Sequence, residues 1–187
     1  MSWALLEEFN LGDSIITTIR NLSNKQFIFN AYENSIIMMT PQSGRHVLAQ
    51  IPIWYHTYPV RNLDVLPDGR IVSSSLDGIV SIWNISWKSV DTLNVNETVY
   101  SMCVVNRKIV TASKVIYTDS TFNVKVWSGK SIEKTKVFSG SCSSLAALGG
   151  SLVISAGYRV MVWDLDSDVQ TLMGHSDEIQ SVSVLGD

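Results

Sequence analysis

Residues 56–84, HTYPVRNLDVLPDGRIVSSSLDGIVSIWN, limit what this chain can fold into more than any other stretch. Val60, Leu63 and Val65 lead into a Pro67-Asp68-Gly69 turn. An alternating run then reaches Ser75, the Asp77-Gly78 turn follows, and a second alternating run ends at Trp83. Apolar side chains spaced by two on both sides of Gly-containing turns specify antiparallel strands with one face toward a core. Helical periodicity is absent here and weak elsewhere. The same order of marks returns further along the chain, and a unit that returns implies a repeat architecture in which no copy buries its faces alone.

From Ser14 the segments ITTIRNL, QFIFNAY, IIMMT and HVLAQI, separated by short polar turns, predict a first four-stranded meander that lacks the His and Trp marks. The second repeat follows as VRNLDVL, RIVSSS, IVSIWNI and KSVDTLNV. A third comprises TVYSMCVV, KIVTAS, NVKVW and KTKVF, with an Asn106-Arg107 turn, a long insert over Lys114–Phe122, and Trp127. The fourth is the shortest: CSSLAAL, LVISA, RVMVWDL and VQTLM, with Trp163-Asp164. Trp83 and Trp127 are 44 residues apart, within the roughly 40–45 of a propeller blade, and Trp127 and Trp163 are 36 apart, a little short of it. Gly174-His175 to Val184 repeats the pattern of His56 to Val65, which predicts the first strand of a further blade. Trp3–Phe9 reads as a short strand before the first repeat. The expected divisions are 14–53, 54–96, 97–139 and 140–174, with another repeat starting over 175–187.

The His near the start of a repeat, the turn Asp and the Trp near its end resemble the WD40-repeat family. The resemblance covers residues 14–185 and is weakest in the first repeat. It implies an all-β, partial WD40-like β-propeller: four four-stranded antiparallel blades, an N-terminal outer strand and a C-terminal first strand. Propellers of the family commonly have more blades, so the chain is expected to be an N-terminal portion of a longer one, exposing sheet faces that self-association or a complementing chain would cover. The family's proteins are non-catalytic protein–protein interaction scaffolds, some of them substrate receptors of ubiquitin ligase complexes. Fold by itself does not choose among these roles.

Composition narrows the partners. Charged residues make up 17% of the chain and the formal net charge is −3, so no global field draws it to nucleic acid or to an anionic membrane. The charge is uneven: residues 107–136 hold seven Lys or Arg, which leaves a nucleic-acid or phosphate surface through Lys125, Lys130 and Lys134 as the alternative to protein binding. No apolar run reaches the length of a membrane span, and Glu7 and Glu8 interrupt what would be the core of a signal peptide. Cys103 and Cys142 lack CxxC spacing and read as buried free thiols in a reducing, cytoplasmic or nuclear, setting. The sequons at Asn21, Asn84 and Asn96 carry no weight without a secretion signal.

His56, Ser75 and Asp77 are the residue types of a hydrolytic triad. The resemblance implies a different role: His56, Ser75, Asp77 and Trp83 form a buried hydrogen-bonded chain that pins one blade. Ser155 is the fourth repeat's counterpart of Ser75, and Val95 stands where the third repeat would have its His. His175, Asp177 and Glu178 could ligate a metal but read better as a fifth-repeat His and its neighbours. The sequence carries no motif for phosphate cradling, hydrolysis or zinc binding, so neither enzyme activity nor a cofactor is expected. The resemblance places partner contacts on the face formed by the fourth-to-first and second-to-third strand loops. Here that face would present Trp54, Tyr55, Tyr58, Leu76, Tyr117, Asp119, Phe122, Tyr158 and Arg159, rich in the aromatic and Arg side chains of binding hot spots.

Overall fold

Each repeat forms one four-stranded antiparallel sheet, in a computed structural model that describes residues 16–22, 26–31, 35–42, 45–52, 56–84, 89–114 and 120–185. Blade one contains β1 (Ile19–Asn21), β2 (Phe27–Ala31), β3 (Ser35–Gln42) and β4 (Arg45–Pro52). Blade two contains β5 (Val60–Val65), β6 (Ile71–Ser75), β7 (Ile79–Trp83) and β8 (Ser89–Asn94). Blade three is built from β9 (Thr98–Val105), β10 (Lys108–Lys114), β11 (Thr121–Ser128) and β12 (Ser131–Ser139). Blade four is built from β13 (Leu145–Leu148), β14 (Ser151–Ala156), β15 (Arg159–Trp163) and β16 (Gln170–Leu172). Strands within a sheet neighbour one another in chain order, so every connection is a hairpin. The turns supply the backbone this requires: Asn106 and Arg107 both take positive φ (48° and 67°), the geometry of a tight hairpin that matches strand twist.

The blades face one another because alternation gives each central sheet two apolar sides. Ile71 and Trp83 pack toward blade one with Ile28, Ile36, Val60 and Leu63. Val72, Val80 and Ile82 point the other way and meet Val99, Met102, Ile109 and Trp127 of blade three. The third interface joins Val110, Val124, Val126 and Phe138 to Leu145, Leu152, Ile154 and Trp163 of blade four. Each of these side chains contributes about 1.5–3 kcal/mol when fully buried, and the contribution exists only while the neighbouring sheet is present.

Polar groups set the pitch between blades. Asn30 is buried, accepts from the Thr17 and Thr18 amides on Oδ1, and donates from Nδ2 to the Val60 carbonyl (2.9 Å), joining blades one and two. Asp64 accepts from the Val104 amide at 2.7 Å and lies 3.6 Å from Arg20, so one carboxylate touches blades one, two and three. The Leu145 amide donates to Ser101 Oγ at 2.9 Å, tying blade four to three. These bonds bring β1, β5, β9 and β13 side by side around a concavity of 630 Å³.

Three segment expectations are modified. β1 spans only Ile19–Asn21, because Thr17 and Thr18 turn their backbone amides to Asn30. The insert of blade three ends earlier than expected: Thr121 and Phe122 already belong to β11, paired with Ser139 and Phe138. Residues 175–185 contain no strand. Ile179 is buried and its amide donates to the Gly157 carbonyl (2.9 Å), but a strand needs a ladder and no second strand lies beside this one among the described residues. The expected strand at Trp3–Phe9 lies outside the described residues.

The Asp77-Gly78 turn is sterically committed. Gly78 has φ +80°, and a Cβ there would sit 2.9 Å from the Glu97 carbonyl oxygen at the start of blade three. Gly69, with φ +85°, faces open space. Gly78→Ala is therefore expected to cost about 2 kcal/mol or more, combining left-handed strain with a backbone clash, and Gly69→Ala about 1 kcal/mol from strain alone. Urea unfolding of the two variants measures the difference.

Candidate functional site

The serine that links imidazole to indole is Ser73, not the expected Ser75. Trp83 Nε1–H donates to Ser73 Oγ (2.8 Å), the Ser73 hydroxyl meets His56 Nε2 (2.9 Å), and His56 Nδ1–H donates to Asp77 Oδ2 (3.2 Å). Asp77 also accepts the backbone amides of Thr57 (2.8 Å) and Ile79 (2.9 Å). Ser73, Ser74 and Ser75 are the same residue type, and only register separates them. Ser73 lies across from Ser81, two residues along from the Ile71–Trp83 pair, within reach of both rings. Ser75 stands at the turn and donates its hydroxyl to the Tyr58 carbonyl (2.9 Å).

Register also reassigns the sister positions. Thr111 of blade three corresponds to Ser73 and accepts from Trp127 Nε1–H at 3.0 Å, so that blade keeps the hydroxyl–indole link without a His. In blade four the equivalent residue is the buried Ile154. Ser155 points to the opposite face and accepts the Ser143 and Ser144 amides. It is not the counterpart of the linking serine.

Blade three holds a second buried polar cluster that no motif signalled. The Glu97 carboxylate accepts from Lys125 Nζ (2.7 Å), Ser113 Oγ (2.7 Å) and Asn123 Nδ2 (3.0 Å), while Lys125 also donates to the Val95 carbonyl (3.1 Å). Alternation along β11 puts Asn123 and Lys125 on one side of the strand, a weak signal that sequence could have offered had Glu97 been recognised as their acceptor. Lys125 is only 7% exposed, which takes it out of the nucleic-acid or phosphate surface considered for it with Lys130 and Lys134. Lys130 pairs with Asp91, and Lys134 with Asp166 and the Leu165 carbonyl. The three lysines thus engage three separate carboxylates of the chain itself.

The ionisation of these groups follows their surroundings. Burial pulls the His56 pKa below its ordinary 6.5, and Asp77 only partly offsets this, so the ring is neutral, with Nδ1 protonated toward the carboxylate. Burial by itself would raise Glu97, but its bonds from Lys125, Ser113 and Asn123 outweigh that and leave its pKa below the ordinary 4.5. Both shifts have the same sign for stability. The unfolded chain takes up the proton first as pH falls, so each group's contribution is complete above its ordinary pKa and is lost below it. Stability is expected to decline in two stages on acidification, first below about pH 6.5 and again below about pH 4.5, and His56→Asn to remove the first; urea midpoints across pH report this. Cys103 and Cys142 are buried free thiols, and burial pushes Cys142 up to about 12 and Cys103 higher, so neither is a ready nucleophile.

The expected partner face is divided by the structure. Tyr58 (56% exposed) and Leu76 line a cleft of 670 Å³ between blades two and three, together with Tyr100 (40% exposed), Asp77, Asn96 and Glu97. Tyr100, which sequence reasoning missed as an alternating strand residue, also borders the central concavity. Phe122 is not on this face: it is buried and stacked on Phe138, with ring centres 5.4 Å apart, because β11 begins before it. Tyr158 is exposed beside the Arg159 guanidinium, 5.6 Å from its ring, at the turn of blade four. Trp54, Tyr55, Tyr117 and Asp119 lie outside the described residues. Asp177 and Glu178 are exposed, and no three His, Cys, Asp or Glu side chains among the described residues are grouped to hold a metal.

No protein-family model and no curated protein matches the chain. Its backbone does match solved structures. One is that of U3-55K, a WD40 β-propeller protein, with a TM-score of 0.75 at 20% identity over 91% of this chain and 55% of that one. The chain has a β-propeller fold. It spans about half the length of that relative, and 679 solved chains match it, so the likeness establishes architecture and selects no activity. Among the described residues no helix is long and apolar enough to cross a membrane.

Proposed function

We propose that this chain is a WD40-type protein-interaction scaffold, non-catalytic, whose docking surface includes the cleft between blades two and three. The observation that carries the reading is the pair of half-exposed tyrosines, Tyr58 and Tyr100, beside Leu76 in that cleft. Tyrosine presents large amphipathic area at low entropic cost, which is why it dominates binding hot spots. The loops that carry the cleft are anchored from below: the Asp77 carboxylate holds the Thr57 and Ile79 amides, and Ser75 holds the Tyr58 carbonyl. A preorganised surface binds with less ordering cost. Intracellular residence fits the two buried free thiols.

A photo-crosslinking residue placed at Tyr58 or Tyr100, and as a control at Val137 on the outermost strand of blade three, tests the proposal. Val137 is 62% exposed. A partner captured from the cleft positions but not from Val137, and lost when the remaining tyrosine is changed to Ala, is the expected result. Equal capture from all three positions would sink it.

A further inference from the structure

We infer that the cleft between blades two and three selects a basic side chain, Lys or Arg, presented by a segment of the protein partner. This rests on the docking reading above and names what the dock recognises.

The charge balance around the cleft is one-sided. Its lining includes two carboxylates, Asp77 and Glu97, and neither Lys nor Arg. Glu97 is neutralised by Lys125, whose ammonium is withdrawn into blade three with its side chain 9% exposed. Asp77 differs. Its three donors, His56 Nδ1–H and the amides of Thr57 and Ile79, are all formally neutral, since His56 is held uncharged by burial. One negative charge therefore remains beside the cleft without a cationic partner among the described residues. Low-dielectric protein on the far side directs its field toward the opening.

The aromatic content adds to this. Tyr58 and Tyr100 both line the cleft, and the faces of phenol rings attract cations. Leu76 and the tyrosine rings offer apolar surface that matches the methylene stem of Lys or Arg, which buries its stem while its head stays polar. An acidic or phosphorylated segment would meet the Asp77 charge with no compensating cation in the lining, which the unbalanced charge disfavours. A purely apolar segment would use the rings and leave the charge without a cationic partner.

The test is an amide-resolved NMR titration of the whole chain with three probes: N-acetyl-lysine methylamide, N-acetyl-arginine methylamide and N-acetyl-norleucine methylamide, the last an uncharged stem of similar length. Saturable shifts at Tyr58, Leu76 and Tyr100 are expected with the two cations, with Kd on the order of millimolar, and roughly tenfold weaker binding for norleucine. Tyr58→Ala and Tyr100→Ala, at exposed positions, should each weaken the cations about 3- to 10-fold while leaving the melting temperature in place, the size of losing one ring–cation contact. Added salt should weaken the cations and leave norleucine unchanged. Equal affinity for norleucine would overturn the cation preference while leaving a protein dock standing. Cation shifts centred away from the cleft, or none with any probe, would overturn the inference too. The crosslinking experiment reads the docking proposal separately, so the two can fail independently.

Discussion

Asp77→Ala should lower stability by about 3 kcal/mol, seen as a fall of roughly 6–12 °C in melting temperature. The carboxylate is 6% exposed and serves three donors at once. Its removal leaves His56 Nδ1–H and the Ile79 amide without an acceptor in the protein interior, each at about 1–3 kcal/mol. Asp68→Ala is the control, because that carboxylate is half exposed and bonded only locally to Arg70, and it should cost well under 1 kcal/mol. Ser73→Ala and Ser75→Ala separate the two possible links. Ser73→Ala strips partners from both the indole and the imidazole and should approach the Asp77 effect, whereas Ser75→Ala loses only main-chain bonds, one to the Tyr58 carbonyl and a long one from the Asp77 amide. Equal losses for the two serines would contradict the chain through Ser73.

The second large effect is expected at Lys125. Lys125→Ala removes the cation from a pair that is 9% and 12% exposed, leaving Glu97 with only Ser113 and Asn123 and the Val95 carbonyl without its donor. Breaking a buried pair from one side typically costs about 3 kcal/mol or more. The double variant Glu97→Gln/Lys125→Met should recover most of that loss, because no uncompensated charge remains. A double variant as unstable as Lys125→Ala by itself would show that packing of the lysine stem, rather than charge, carries the effect. Either way Lys125 is engaged inside the protein, which removes one member of the basic trio from any phosphate-binding surface.

These two clusters show how differently the repeats solve one problem. Blade two anchors its start with His56 and Asp77. Blade three has Val95 where the His stands and anchors the corresponding region with Glu97, which reaches Ser113, the positional equivalent of Ser75. Glu97 also abuts the Asp77-Gly78 turn through its own carbonyl, and the Val95 amide donates to the Gly78 carbonyl at 2.9 Å. The two anchors therefore meet at the cleft, and Gly78 is the point where an added methyl would force them apart.

Alternation and turn chemistry determined the all-β class, the four sheets and the hairpin order, because those signals are local: a strand's period and a turn's φ requirement are properties of adjacent residues. They did not determine which of Ser73, Ser74 and Ser75 joins the rings, since that depends on pairing register across β6 and β7. Nor could they place Phe122, whose burial follows from β11 beginning two residues earlier than its alternation suggested and from the stacked Phe138 opposite. The Glu97–Lys125 pair, 28 residues apart, carries no motif because its partners converge only after blade three is folded. Tyr100 had no reason to stand out among strand residues, and only the approach of two blades puts it in one cleft with Tyr58. What adjacent residues dictate was legible in the sequence; what depends on two sheets meeting was decided by packing.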